Sequence, residues 1–355
     1  MKRIVRLFAV ACILPASAAP QAAADGDVAQ AVGPCTASQI CAFSDPEDLA
    51  DLDGTPWLMV SESARNGSSG LAAFNTHSLA IVRVPANVLG PSCLPGARGG
   101  GIGVRRERNG YRLVRILHAR GPSGMGSDAV ESLRVTFSHN RPVLTRTGCV
   151  AAPDYFLNDI APLPDGAFAA THMFDPGMSR EAREAAFLAG APTGYVVRWT
   201  PASGWTRLPG SDGTFPNGID ASPDGRWLAF AEIYGRAINR IRTDGSQRAR
   251  LPLAMQPDNV TALPDGSFVA AGGTGRPLVS TRRCPQLRRP GCGFPAMAVR
   301  VDFKRRSVQT IALSGGAETP GFSVGVMKGR RLYLGTAFGD RITILRLADE
   351  PATMP

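Results

Sequence analysis

Short apolar runs alternate with polar turns along most of this chain, and the alternation repeats. Glu47-Asp48-Leu49 leads through Asp53-Gly54 to Trp57-Leu58-Met59-Val60. Asn158-Asp159-Ile160 leads through Pro164-Asp165-Gly166 to Phe168-Ala169-Ala170. Asn217-Gly218-Ile219 leads through Pro223-Asp224-Gly225 to Trp227-Leu228-Ala229-Phe230, and Asp258-Asn259-Val260 through Pro264-Asp265-Gly266 to Phe268-Val269-Ala270. In each, a polar pair opens a short strand, an Asp-Gly turn follows, and a second apolar strand returns. Asp-Gly between apolar runs is a hairpin signal, because both residues tolerate positive φ. Two weaker copies run from Gly100-Gly101-Ile102 through Asn109-Gly110 to Tyr111–Leu117, and from Phe322-Ser323-Val324 through Lys328-Gly329 to Leu332-Tyr333-Leu334. Copies beginning at 47, 100, 158, 217, 258 and 322 fit one four-stranded blade each. The predicted fold is all-β, a six-bladed β-propeller over residues 35–349 with a central metal channel, preceded by a flexible segment, 19–34, and followed by a tail, 350–355. Arg180–Leu188 reads as a helical insertion between strands.

The same phase carries the candidate chemistry. Residues at equivalent positions of a propeller lie on a ring about its axis. If the polar pair opens the innermost strand, Glu47, Asn158, Asn217, Asp258 and Asn259 converge on the channel. Two carboxylates held together there repel one another and are poorly solvated unless a cation joins them. All five offer oxygen, which selects a hard ion such as Ca²⁺ over zinc or copper. Asp48 and Asp159, the second members of two pairs, are candidates for a deeper structural ion.

Composition adds compartment. Lys2, Arg3 and Arg6 precede the apolar Leu7–Leu14 and the small residues Ala16-Ser17-Ala18, the pattern of a signal peptide over 1–18. The apolar run is too short to span a bilayer, and no later segment is long enough. Cys12 raises a lipid-anchored variant, which its preceding residues match poorly. The expected location is periplasmic or secreted. Cys35, Cys41, Cys93, Cys149, Cys284 and Cys292 remain, an even number that in an exported chain argues for disulfides. Proximity in sequence favours Cys35–Cys41 and Cys284–Cys292, leaving Cys93–Cys149. The formal charge of +10 falls to +7 with the three basic residues of the signal removed. The basic residues are dispersed and lack interleaved aromatics, so no nucleic-acid platform is expected. There is no G-x-S-x-G elbow, H-E-x-x-H or Walker loop.

At Glu47-Asp48-Leu49, Asn158-Asp159-Ile160, Phe215-Pro216-Asn217-Gly218-Ile219, Ser222-Pro223-Asp224-Gly225 and Asp258-Asn259 the sequence resembles the calcium-dependent six-bladed propeller hydrolases: paraoxonases and the senescence-marker-type gluconolactonases, with the nearer match on the paraoxonase side. The resemblance runs from about Glu47 to about Leu345. It implies a catalytic calcium on Glu47, Asn158, Asn217, Asp258 and Asn259, a structural calcium near Asp48 and Asp159, and a small-molecule lactone or aryl-ester substrate. It implies that the ion polarises the carbonyl while a histidine activates water. His118 falls where a paraoxonase catalytic histidine is expected, and His172 where a further active-site histidine lies. The chain departs from that pattern where a second histidine should open the second copy: Gly99-Gly100-Gly101 stands there, and Gly272-Gly273 stands on the fifth copy. With no paired imidazole for His118, Asp258 is set above it as the base, as in gluconolactonase-type relatives. Two other readings stay open: a non-catalytic calcium-stabilised propeller that binds a small molecule or a protein, and a strictosidine-synthase-like enzyme, against which the carboxylates count.

Overall fold

The computed structural model describes residues 30–62, 68–90, 92–118, 128–275 and 291–347. The proposed signal peptide, Cys12, Cys284 and the tail lie outside the described residues. Six four-stranded antiparallel sheets form the six blades. Their inner strands are Asp48–Asp51, Arg98–Glu107, Leu157–Pro162, Pro216–Ala221, Gln256–Ala262 and Val324–Lys328. These open blades 1 to 6, in register with the six sequence copies. In every blade the turn out of the inner strand holds a glycine at positive φ: Gly54, Gly110, Gly166, Gly225, Gly266 and Gly329. A side chain with a Cβ is disfavoured there, which is why the turn motif is the most regular part of the repeat.

The alternate faces of the strands bury Leu, Val, Ile, Phe and Ala between neighbouring blades. One such layer joins blades 1 and 2 through Leu52, Met59, Leu71, Leu113 and Leu133, and another joins blades 4 and 5 through Ile238, Met255, Phe268 and Val301. The helix Arg180–Ala189 is the expected insertion between the second and third strands of blade 3. Ser179 caps its start by accepting from the Ala182 amide, and Gly190 ends it in the left-handed conformation.

Blade 6 takes its outermost strand from the other end of the chain. Gln39–Ile40 pairs with Ile342–Arg346, setting Gln39 opposite Thr343 and Ile40 opposite Ile342. The Cys35–Cys41 disulfide brackets this strand. Arg341, only 1% exposed, locks it from beneath, donating to Gln39 Oε1 at 3.0 Å and to the Gly33 carbonyl at 3.1 Å. Within the stretch read from the sequence as flexible, Gln30–Ala31 already pairs with Cys292–Gly293. Cys93–Cys149 pairs as expected, and Cys292 is disulfide-bonded.

The six blades are joined in a closed circle of side-chain to backbone hydrogen bonds, five sent from or just before an inner strand and the one between blades 2 and 3 sent from Asp128 on a third strand. Asp48 Oδ2 accepts from Ile102 N, Asp128 Oδ2 from Leu157 N, Asp159 Oδ2 from Ile219 N and Asp220 Oδ2 from Ala262 N, each at 2.7 Å. Thr261 Oγ1 donates to the Gly325 carbonyl and Ser323 Oγ to the Glu47 carbonyl, each at 2.6 Å. These bonds satisfy strand edges that would otherwise face the channel unpaired.

Asp220 allows this role to be measured. Its Oδ1 also accepts from Ala221 N at 2.7 Å, yet burial outweighs both bonds and pushes its carboxyl up to about 6. A pKa raised on folding means the stability it contributes is complete below the unfolded value of about 4 and is lost as pH rises through about 6. In Asp220→Asn the amide nitrogen must face one of the two N–H groups, so we expect a loss of about 1–3 kcal/mol at pH 4.5. The gap to wild type should narrow by pH 7.5, since only the wild type carries this pH-dependent term. Urea denaturation at both pH values reads the gap, and a gap that widens with pH would refute the assignment.

Candidate functional site

The polar pairs sit where pairing between the inner and second strands breaks register. The shift falls between Gly99 and Ile102 in blade 2, Leu157 and Ile160 in blade 3, Pro216 and Ile219 in blade 4, and Pro257 and Val260 in blade 5. An irregularity of this kind turns residues out of the ladder. Asn158, Asn217, Asp258 and Asn259 all lie within these interruptions, near the start of each inner strand.

One contact crosses between non-adjacent blades. Asn259 Nδ2, from blade 5, donates to Glu47 Oε1 of blade 1 at 2.9 Å. Blade 6 stands between those two, so the bond is made at the axis. Burial raises the Asp258 carboxyl well above its ordinary value, with the charges of Glu47 and then Asp48 adding to it. Glu47 is raised by burial too, against the Asn259 hydrogen bond and the nearby His118 imidazole, which lower it. Blades 4 and 5 approach so closely that a Cβ on Gly218 would lie 2.4 Å from Asn259 Cα and 2.8 Å from its Oδ1. Blade 2 presses on blade 3 in the same way: a Cβ on Gly101 would lie 2.4 Å from Asp159 Oδ1 and 2.7 Å from the Asn158 carbonyl. Gly101, within the run that reads in the sequence as a missing histidine, is thus a packing requirement, whereas Gly99 has open space around it.

Two acceptors in this ring stand out. Asn217 Oδ1 and Asn259 Oδ1 are buried without a hydrogen-bond partner among the described residues. A buried, unsatisfied acceptor costs about 1–3 kcal/mol. Both belong to the five-residue oxygen set, and Asn259 is bonded to Glu47, whose carboxyl burial raises. Hard oxygen donors, two potential charges and two acceptors lacking a donor fit a calcium ion. Among the described residues no group of three or more His, Cys, Asp or Glu converges as a metal site; the set here is two carboxylates and three amides. Asp48 and Asp159 lie deeper. Each accepts two backbone N–H bonds, Asp48 from Leu49 and Ile102 and Asp159 from Ile160 and Ile219. Burial raises both carboxyls well above the usual range; Glu47 is the next cause for Asp48, and Asp48 the next for Asp159.

His118 ends the second strand of blade 2, Gly110–His118. Its Nδ1 lies 3.1 Å from Asp128 Oδ1, so the histidine that lacks a paired imidazole has a carboxylate partner instead. Asp128, on the third strand, belongs to no repeated motif and was not legible in the sequence. Asp220 was missed as well, because it lies one further turn of the pleat along its strand than Asp48 and Asp159 do. His172, 4% exposed, accepts at Nδ1 from the Phe156 amide at 3.1 Å, and Tyr155 and Tyr195 flank its ring. Burial lowers its pKa. It braces the segment that leads into Asn158.

An aromatic wall rises beside His118 over blades 3 and 4. Phe156 lies 5.8 Å from the His118 ring and 4.8 Å from Phe174, which stacks at 5.7 Å on Phe215. Phe187, from the inserted helix, packs on Phe215 and Tyr234. Phe156 and Phe215 each stand two residues before a ring asparagine, and Phe215 is held at φ 56°. A bulky residue in that region carries backbone strain, of a kind that concentrates at functional sites.

Known proteins agree with this architecture. The SMP-30/gluconolactonase/LRE-like region profile matches residues 133–275. No curated protein sequence matches the chain. Among solved structures, a gluconolactonase from Xanthomonas campestris is 16% identical, covering 87% of this chain and 88% of its own, with a TM-score of 0.51. The major Malassezia sympodialis allergen Mala s 1 is 12% identical over 90% and 99%, with a TM-score of 0.55. The PQQ-bound aldose sugar dehydrogenase from Streptomyces coelicolor is 16% identical over 90% and 98%, with a TM-score of 0.51. A lactonase, an allergen and a dehydrogenase share the fold, so these likenesses bear on fold alone. The chain is a six-bladed propeller whose residues 133–275, which include Asn158, Asn217, Asp258 and Asn259, are similar to the SMP-30/gluconolactonase/LRE-like region.

Proposed function

We propose that this protein is a calcium-dependent hydrolase of lactones or carboxylic esters, acting outside the cytoplasm. The observation that carries the reading is the pair of buried, unpartnered oxygens, Asn217 Oδ1 and Asn259 Oδ1, the second on a residue bonded to the Glu47 carboxyl. The matched family region and the His118–Asp128 pair beside the ring support it. The disulfides fit an oxidising compartment, and among the described residues no helix is long and apolar enough to cross a membrane.

Glu47, Asn158, Asn217, Asp258 and Asn259 would hold the ion. Bound there, Ca²⁺ supplies Lewis acidity to a carbonyl oxygen and stabilises negative charge on it. The protein's own part is acid–base work. His118 Nε2 takes a proton from water as the water oxygen bonds to the carbonyl carbon. The acyl carbon–oxygen bond then breaks, and the proton passes to the leaving alkoxide, so a lactone opens to a hydroxy acid. With Asp128 found at its Nδ1, His118 has the orienting partner whose absence had favoured Asp258 as base. We therefore assign the base to His118 and a charged ligand's role to Asp258. The aromatic wall excludes water from one side of this position, which strengthens the electrostatic interactions there.

Two sets of measurements test the reading. Adding calcium to chelator-treated protein should raise the Tm, as a ligand bound only by the folded state does. Asn217→Leu should abolish that rise while leaving the metal-free protein no less stable, since it removes a buried orphan acceptor at little change in shape; Asn259→Leu should abolish it too but cost stability, since it also removes the bond to Glu47. A Tm indifferent to calcium, with none found by metal analysis, would end the central-ion idea.

In a panel of lactones and aryl esters, His118→Gln should lower kcat about 10²-fold or more and keep the calcium-induced rise in Tm. Asp258→Asn should weaken that rise. Calcium-dependent stability with no hydrolysis of any member by the wild type would favour the binding-module reading. Full activity in His118→Gln would return the base to Asp258.

A further inference from the structure

His118 and Asp128 face one another across the second and third strands of blade 2, as direct partners in the ladder. The carboxylate is buried, its side chain 1% exposed against 15% for the imidazole. Both its oxygens are engaged: Oδ1 by His118 Nδ1 at 3.1 Å, and Oδ2 by the Leu157 amide at 2.7 Å. A carboxylate only accepts, so the hydrogen of a neutral His118 sits on Nδ1 and the lone pair on Nε2. Nε2 points at the inner strand of its own blade. A Cβ built on Gly100 would come within 2.6 Å of it, and the Gly100 carbonyl is held by Ser61 Oγ at 2.7 Å. The glycine leaves open the space into which that lone pair is directed. Leu157, on the far side of Asp128, immediately precedes Asn158.

We propose that Asp128 is the positioning residue of this site: it fixes His118 as the Nδ1–H tautomer, aims Nε2 at the space over Gly100, and through the Leu157 amide ties the imidazole to the strand that carries Asn158. The carboxylate stands in for the second imidazole that this chain lacks. The kinetic part of the inference rests on the hydrolase reading; the tautomer does not.

The test uses the full mature chain, uniformly ¹⁵N-labelled. Two-bond imidazole spectra at a pH where the ring is neutral report which nitrogen carries hydrogen, and His118→Gln assigns the signal among the four histidines. The wild type should show Nδ1–H, a measurement that depends on no variant's folding. In Asp128→Asn, the carboxamide oxygen can keep the Leu157 bond while its NH₂ faces His118, which forces the hydrogen onto Nε2. The variant should therefore keep its Tm and KM within about twofold and lose about 10²–10⁴-fold in kcat, as a wrong tautomer does in other hydrolases. An Nε2–H tautomer in the wild type, or an Asn variant with unchanged tautomer or unchanged kcat, overturns the inference. If the wild type cleaves no lactone or ester, the hydrolase reading falls by itself, and the spectra still decide whether Asp128 sets the tautomer.

Discussion

The circle of hydrogen bonds between blades is the constraint on which the rest depends. Each blade is a small antiparallel sheet whose innermost edge would leave amides and carbonyls facing a narrow channel. Asp48, Asp128, Asp159, Asp220, Thr261 and Ser323 each reach from one blade to the backbone of the next. The bonds set the distance between strands and therefore where the residues between them point. They pin the strands on either side of Asn158, Asn217, Asp258 and Asn259.

This arrangement also explains an electrostatic conflict. Burial raises the carboxyls of Glu47, Asp48, Asp159 and Asp258, and the Glu47 charge adds to the rise at the other three. Asp48 and Asp159 meet part of their need through two backbone N–H bonds each. Asn217 and Asn259 have buried acceptors with no donor, and Asp258 depends on whatever occupies the axis. A cation at that point relieves both problems together, which is the physical basis for assigning one.

Much of this was legible in the sequence, because a propeller repeats its solution. Gly54, Gly166, Gly225 and Gly266 marked turns where positive φ is needed, and the polar pairs marked the channel. What stayed hidden broke the phase. Asp220 bridges blades from a position one pleat along, and two of the six bridges use Thr261 and Ser323, whose hydroxyls carry no such signal in a sequence. Asp128 lies on a third strand, where no repeated residue invites comparison. The glycines at 100 and 101 read as an absence, yet they make room for His118 and Asp159. Residues chosen for how closely another strand approaches are invisible until that strand is in place.

Closure of blade 6 by Gln39–Ile40 gives the molecule a clasp made from its two ends. A chain threaded through an export channel from its N-terminus delivers that strand among the first segments and its partner, Ile342–Arg346, among the last. The early strand has to wait, exposed, for nearly the whole chain to follow. Closing so long a loop is slow, and an unpaired edge is open to wrong partners while it lasts. The Cys35–Cys41 bridge forms within a few residues and needs nothing from the rest of the chain, so it can shape the waiting strand before its partner arrives. Once seated, the clasp makes the circle of blades resist opening from either terminus.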